Sequence, residues 1–128
     1  MNFFDCVKAF WLESDDAVKA WRGEIDLLIK PKVYRFIMNK KYLLIDDAQC
    51  YGVISFFHKP VRLLPSEFSE TMVRHGLSNL DKINRWRSGN KTVFGYEFFF
   101  VEKFDKPVKI TISSVVDDFV AIESIVTK

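Results

Sequence analysis

The chain contains few residues of the types that break regular structure or hold metal ions. Its 128 residues include five glycines, four prolines, two cysteines and two histidines. Neither Cys6 nor Cys50 has a second cysteine or a histidine at the spacing of a metal site, and His58 and His75 are also isolated. We therefore predict no metal and no cofactor, and we interpret both cysteines as small buried hydrophobic residues.

Long apolar runs are also missing. The longest candidate, Phe98–Val101, lies between Glu97 and Glu102 and falls far short of the roughly 18 residues that a membrane span requires. The segment Met1–Cys6 lacks the basic start and long apolar stretch of a secretion signal. These features predict a protein that does not enter membranes and that stays in the cytoplasm.

What the chain does contain is a large aromatic and aliphatic content. Apolar residues make up 48% and aromatic residues 16% of the sequence, and thirteen residues are phenylalanine. This is enough for one sizeable core, and phenylalanine favours strands and large buried surfaces. With no linker-like segment, residues 1–128 are predicted to form a single domain.

The first 23 residues are predicted to form a helical extension of that domain. Phe3, Val7 and Phe10 have the spacing of one helix face. Ser14 is a suitable N-cap for a second helix, which should end at Gly23 because glycine favours the position after a helix C-terminus.

The rest of the chain predicts strands interrupted by a helical insertion. Apolar segments bounded by glycine, proline or acidic turns indicate strands at 24–30, 42–45, 50–58, 92–102, 108–112 and 119–126, and two helices between Ser66 and Gly89. Residues 32–38 fit either a short helix or a strand. Without regular strand–helix–strand alternation, this order predicts an α+β fold with mixed or antiparallel pairing. We expect a small closed or nearly closed barrel, which would hide the edges of short strands.

Positive charge is concentrated in two stretches, although the net charge of +2 is too small to identify a partner. Twelve positions without an acid hold Lys30, Lys32, Arg35, Lys40 and Lys41; a second cluster holds Arg85, Arg87 and Lys91 around Trp86. Cations that bind phosphates beside an aromatic face that stacks on bases are typical of nucleic-acid sites. The alternative is a solvated basic face with Trp86 in the core.

Several segments resemble a known family. The stretch Leu27–Tyr42 is similar to the opening of ASCH domains, members of the PUA-like superfamily, in which an apolar strand ends in Lys-Pro and a short helix precedes a G-x-K-x-x-E-x-R motif. Residues 51–56, 65–86, 95–98 and 104–108 resemble the family's second barrel strand, helical insertion, last strand and aromatic-x-Lys-Pro ending. The resemblance covers about residues 24–112.

The resemblance implies a PUA-like fold and binding of RNA, single-stranded DNA or a modified nucleotide in a cleft between barrel and insertion. The motif itself is altered, since Asn39 stands in the place of its glycine and Leu44 and Asp46 in the places of its glutamate and arginine. Lys41 can stand for its lysine.

The same resemblance implies a further hypothesis, that the protein is an enzyme. Some ASCH-like proteins hydrolyse acylated nucleosides, and others are nucleases. Here Lys41 and Glu97 would be the carried-over pair, with a desolvated lysine as nucleophile or base and the carboxylate moving the proton. Tyr42 stands where a threonine would help. The alternative is that Lys41 lies in a turn and that Glu97 is paired with a neighbouring cation. We therefore favour a binding module over an enzyme.

A third possibility is a protein-interaction or accessory factor that kept the fold and lost the ligand site. Phe3, Phe4, Phe10 and Trp11 would present an apolar helix to a partner or to a second copy. The alternative is that this helix closes one end of the barrel.

Overall fold

The computed structural model describes residues 6–30, 40–57, 59–64, 84–85, 88–89, 92–113 and 119–127. Its elements, in chain order, are β1 (Lys8–Trp11), α1 (Ser14–Trp21), β2 (Leu27–Lys30), β3 (Tyr42–Ile45), β4 (Gln49–Phe56), β5 (Val61–Leu63), β6 (Val93–Ile112), β7 (Phe119–Val120), a 3₁₀ turn (Ile122–Ser124) and β8 (Ile125–Thr127). The ambiguous segment 32–38 and most of the helical insertion lie outside the described residues.

The eight described strands form one mixed sheet with β6 as its longest member. The strand order is β2-β6-β4-β3-β1-β7, and β5 and β8 also pair with β6. Every pairing is antiparallel except that of β1 with β3. The predicted mixed pairing is therefore confirmed, in a described fold that is mostly β-sheet with the one helix α1. Among the described residues β2 and β7 do not pair, so the sheet is open, which corrects the closed or nearly closed barrel that we expected.

Each face of the sheet carries its own apolar cluster, because successive side chains of a strand point to opposite faces. In β3, Tyr42 and Leu44 belong to the first core, while Leu43 and Ile45 belong to the second. The first core also receives Ala17 and other residues of α1. The second core is completed by residues near the C-terminus, including Val120 and Ile122.

The predicted N-terminal helix is wrong over residues 8–11, which form β1. Ala9 and Phe10 are both fully buried, Ala9 in the second core and Phe10 in the first. A strand between β3 and β7 can bury residues on both faces, so the helical spacing of Phe10 with earlier apolar residues does not decide the structure. The prediction for residues 1–5 lies outside the described residues.

The second predicted helix is present as α1. Its N-cap is Glu13, which makes no side-chain capping hydrogen bond, so Ser14 is the first helical residue rather than the cap. The helix ends as predicted at Gly23, whose φ of 79° lies in the left-handed region. The Glu24 N–H then donates to the Lys19 carbonyl at 2.9 Å, which is typical of a glycine-terminated helix.

Gly52 lies where the backbones of β4 and β6 come unusually close, as its place within a strand predicts. The pairing register shifts between Cys50 and Gly52. Gly52 has a φ of 155°, and a Cβ atom there would lie 2.4 Å from the Glu102 carbonyl oxygen. Only glycine fits this position without moving one of the two strands.

Replacing Gly52 by alanine should therefore destabilise the domain strongly. We expect Gly52→Ala to lower the free energy of unfolding by about 3 kcal/mol, because the new methyl group meets a backbone atom. Gly23→Ala is the matched control, since nothing lies within 4 Å of its Cβ position; it should cost about 1 kcal/mol from backbone strain alone. Urea unfolding measures both, and equal losses would contradict the close approach.

A second prediction concerns the response to alkaline pH. Burial raises the pKa of the Cys50 thiol from 9.0 to about 12. The unfolded chain therefore releases this proton at lower pH than the folded chain, and stability is lost as pH rises from about 9 to about 12. Between pH 9 and 10 we expect the free energy of unfolding to fall by about 1 kcal/mol through this group.

Cys50→Ala should remove that part of the decrease. Unfolding in urea at several pH values between 8 and 10 measures it for both proteins. An identical pH dependence in the variant and the parent protein would show that the thiol does not contribute.

Candidate nucleic-acid interface

The structure places some of the predicted site residues at the surface and others elsewhere. Lys40, Lys41 and Arg85 are exposed, Glu97 is half-buried on β6, and Lys30 is buried at the end of β2 with 7% of its surface exposed. Lys32, Arg35, Arg87 and Lys91 lie outside the described residues.

Lys30 connects two strands of the sheet through its side chain. Its Nζ atom donates to the Trp11 carbonyl oxygen at 3.3 Å and lies 5.6 Å from the ring centroids of both Phe10 and Trp11. Since β2 is the first strand in the sheet order and β1 the fifth, this contact requires the sheet to curl around the first core. Lys30 is thus placed inside the fold and not beside the exposed lysines.

Lys30 and Lys41 approach opposite ends of β3. The Lys30 amine meets Trp11, which pairs with Ile45 at the C-terminal end of β3. Lys41 directly precedes Tyr42, the first residue of β3. Four residues of extended strand separate these ends by about 13 Å, so Lys30 and Lys41 do not lie side by side.

Two exposed phenyl rings lie on the sheet near Lys40 and Lys41. Phe57 is 58% exposed and Phe99 is 39% exposed. Their ring centroids are 4.7 Å apart and their planes are tilted by 47°, so the two rings pack against each other and do not form one flat surface. Phe98 and Phe100 contact the first core, so the intervening Phe99 points to the opposite face. We call Phe57 and Phe99 together the phenyl platform.

The strand register connects this platform to the lysines. Tyr42 pairs with Ile54 and Ser55 pairs with Phe99, so Lys41, Ser55 and Phe99 form a row across β3, β4 and β6. The Ser55 hydroxyl donates to the Lys40 carbonyl oxygen at 3.0 Å, which fixes the start of β3 against β4. Two strand spacings place the Lys41 backbone about 10 Å from that of Phe99.

Further polar groups surround the platform. Lys59 is exposed two residues after Phe57. The Phe57 N–H donates to the Glu97 carbonyl oxygen at 3.2 Å, and strand alternation directs the Glu97 side chain to the same face as Phe99. Aromatic faces beside several cations can stack on bases while the cations bind phosphates.

Lys41 and Glu97, the pair that the resemblance implies for hydrolysis, share this face without being neighbours. Ser55 and Phe57 lie on the strand between them. Their Cα atoms are separated by about 12 Å, from two strand spacings and two residues along the strand.

Phe57 and Phe99 lie within the predicted strands 50–58 and 92–102, and the sequence analysis did not predict that their rings are exposed. The run Phe98–Phe100 did contain a signal, since alternation forces the middle residue onto the other face from its two neighbours. The sequence alone could not show that this part of the sheet face is accessible to solvent.

A second contact between a cation and aromatic rings was also missed. The Lys103 Nζ atom lies 5.9 Å from the Trp21 ring centroid and 5.8 Å from that of Phe100. The Trp21 indole N–H donates to the Phe104 carbonyl oxygen at 2.8 Å, which holds the ring in place. This contact lies at the edge of the first core, on the face away from the platform.

Asp46 has a structural role in the turn between β3 and β4. It is buried, and its Oδ1 atom accepts hydrogen bonds from the Ala48 and Gln49 backbone N–H groups, each at 2.8 Å. Its Oδ2 atom accepts one from the Tyr51 hydroxyl. Burial, and next the hydrogen bond to Asp46, raise the pKa of Tyr51.

The described part of the chain contains neither a membrane-spanning helix nor a metal-binding cluster. No helix there is long and apolar enough to cross a membrane. No group of three or more histidine, cysteine, aspartate or glutamate residues there could hold a metal ion.

Comparison with solved structures identifies the fold. The ASCH protein of Zymomonas mobilis superposes with a TM-score of 0.60 at 8% identity, covering 81% of this chain and 72% of that one. A serine-to-alanine variant of the same protein gives 0.61 at 9% identity, covering 84% and 75%. A tyrosine-to-phenylalanine variant gives 0.60 at 8% identity, covering 81% and 74%. The predicted ASCH-like fold is confirmed, whereas no family model and no curated protein matches the chain.

The position of Lys30 leads to a stability prediction. Lys30→Met keeps most of the side-chain volume but removes the donor to the Trp11 carbonyl, so we expect the free energy of unfolding to fall by about 2 kcal/mol. Lys41→Met, at an exposed position, should change it by less than about 0.5 kcal/mol. Urea unfolding compares the two, and an equally small effect of Lys30→Met would show that its contact does not hold β2 to β1.

Proposed function

We propose that this chain is a nucleic-acid-binding module with an ASCH, PUA-like fold, which acts in the cytoplasm on single-stranded RNA, single-stranded DNA or a modified nucleotide. The observation that carries the proposal is the phenyl platform. Two partly exposed rings, with centroids 4.7 Å apart, lie on a sheet face in the strand row that also holds Lys41.

The energetics of such a surface fit a single strand. Each base stacked on an aromatic ring contributes about 1–3 kcal/mol and does so for every base type. Each phosphate bound by a cation releases counterions, so the logarithm of the binding constant falls by about 0.7 per contact for each unit of log salt concentration. In duplex nucleic acid the bases are stacked and paired, which leaves their faces unavailable to Phe57 and Phe99.

One residue is excluded from the predicted set of phosphate ligands. This residue is Lys30, because its amine is buried and hydrogen-bonded to the Trp11 carbonyl oxygen. Lys40, Lys41 and Arg85 remain, since all three are exposed. Lys32, Arg35, Arg87 and Lys91 stay in the proposal on sequence grounds alone.

An interaction factor is the second candidate, and the same platform supports it. Exposed phenyl rings, with Val101 also 47% exposed, are typical of protein interfaces as well. The route that we predicted for it, an N-terminal aromatic helix, does not hold for Phe10 and Trp11. Both lie in β1, where Phe10 is buried.

Binding to fluorescent single-stranded oligonucleotides tests the proposal. We expect the parent protein to bind them with affinity that falls steeply with salt concentration. Phe57→Ala and Phe99→Ala should each weaken binding about tenfold through lost stacking, and Lys41→Ala should reduce the salt slope by about 0.7. Fluorescence anisotropy at several salt concentrations measures all three.

Val126→Ala is the matched control, because Val126 is an exposed apolar residue on β8, and it should leave affinity unchanged. Undiminished binding by the Phe57→Ala, Phe99→Ala double variant would refute the platform. Self-association that the double variant abolishes, without affinity for either nucleic acid, would establish the interaction factor instead.

A further inference from the structure

The phenyl platform is an open surface and does not line an enclosed pocket. Phe57 keeps 58% of its surface exposed and Phe99 keeps 39%, although the two rings contact each other. Sites for small ligands are concave and bury about 70–90% of the ligand surface. A base on Phe57 is covered on one face only, so the platform does not enclose a single nucleotide.

The tilt between the two rings limits each of them to its own base. Their planes differ by 47°, so a flat base that lies on one ring does not lie on the other. One stacked base strengthens binding about tenfold to a hundredfold. Because this gain is set against the translational freedom lost on binding, one nucleotide here should bind only in the millimolar range. Tighter binding requires contacts with several nucleotides of one strand.

Charges on the same sheet face indicate the direction in which such a strand runs. Glu102 pairs with Val53 of the second core, so its exposed side chain lies on the face of Phe99. Glu97 lies on that face two residues before Phe99. Along β6 the platform therefore has an acid on either side, and both repel phosphates. Across the strands, by contrast, the row from Phe99 leads to the exposed Lys41.

The crossing direction also has the length of several nucleotides. Two strand spacings separate the backbones of Phe99 and Lys41 by about 10 Å. Successive phosphates of a stacked strand are about 3.4 Å apart, so this distance corresponds to about three nucleotides. The Ser55 hydroxyl donates to the Lys40 carbonyl oxygen at 3.0 Å, which fixes the backbone before Lys41 against β4.

We infer that the ligand is a single strand of about three nucleotides or more, which crosses the sheet from the phenyl platform to Lys41 at the start of β3. Free nucleosides and mononucleotides are not ligands of this surface. The inference rests on the proposed function and narrows its ligand class. Phe57 and Phe99 contact bases at one end of the crossing, Lys41 binds a phosphate at the other, and the two acids of β6 disfavour a path along that strand.

The first test compares ligands of different length on the full chain. The four nucleosides, their monophosphates and unpaired mixed-sequence oligonucleotides from dimer to octamer, as RNA and as DNA, compete with a labelled octamer. We expect no competition from nucleosides or monophosphates at about 1 mM. The tetramer should compete at least about a hundredfold more strongly than any monophosphate, because it adds contacts to a second base and to phosphates.

The second test separates the crossing direction from a path along β6. Lys41→Ala should weaken binding of the octamer about fivefold and reduce its salt slope by about 0.7. Lys109→Ala is the matched control. Lys109 is exposed on β6 itself, so this variant makes the same charge change and should leave both values unchanged. Urea unfolding checks that both variants are folded.

The outcomes distinguish this inference from the proposed function. A monophosphate that competes as strongly as the tetramer would overturn the inference and leave nucleotide binding intact. An effect of Lys109→Ala equal to that of Lys41→Ala would overturn the crossing direction. If the labelled octamer does not bind at all, as RNA or as DNA, the proposed function fails together with the inference.

Discussion

The curl of the sheet brings a buried lysine at the end of β2 against the backbone of β1. The hydrogen-bond ladder joins β2 only to β6 and joins β1 to β3 and β7, so nothing in the ladder brings β2 to β1. The Lys30 amine does so by donating to the Trp11 carbonyl across the first core. Burying this charge is costly unless it is well bonded, and the carbonyl and the adjacent rings of Phe10 and Trp11 offset that cost.

The aromatic packing of the first core follows from this curl. The Phe10 ring lies 5.8 Å from that of Phe56 and 6.1 Å from that of Tyr96, and Tyr42 contacts Phe56 at 5.5 Å. These residues come from β1, β4, β6 and β3, and tilted or edge-to-face contacts of this kind stabilise the interior. The second face is covered by a separate cluster, which includes Val120 and Ile122.

The sequence predicted features that depend on local chemistry. Gly23 ends α1 because it adopts a positive φ, and Gly52 permits a close backbone approach because it has no side chain. Strand 42–45 was correctly placed, and β4 (Gln49–Phe56) begins one residue before the predicted strand 50–58 and ends two residues before its end. Each of these features can be read within a few residues of the chain.

Features that depend on distant strands could not be predicted in this way. β1 looked helical because a strand buried on both faces has no polar alternation to reveal it. Lys30 looked like a surface cation because lysine is rarely buried, and its partner Trp11 is brought close only by the curl. The exposure of Phe57 and Phe99 was not predicted because local sequence does not tell which face of a strand is covered.

The altered family motif has a structural explanation at the positions that the structure describes. Leu44, in the place of the motif's glutamate, is fully buried in the first core. Asp46, in the place of its arginine, accepts three hydrogen bonds that hold the β3–β4 turn and Tyr51. Tyr42 is buried against Phe56. These residues stabilise the fold, so they are not available as the polar groups of a pocket.

The platform, by contrast, has no comparable structural reason. A phenyl ring with 58% of its surface exposed gains little from folding, because the hydrophobic contribution scales with the area removed from water. Phe99 is more buried, at 39% exposed, and part of its buried area is the contact with Phe57. Exposed phenyl surface in the strand row of Lys41 suits a ligand that has a flat apolar face and charged phosphates, which is the chemistry of a nucleotide.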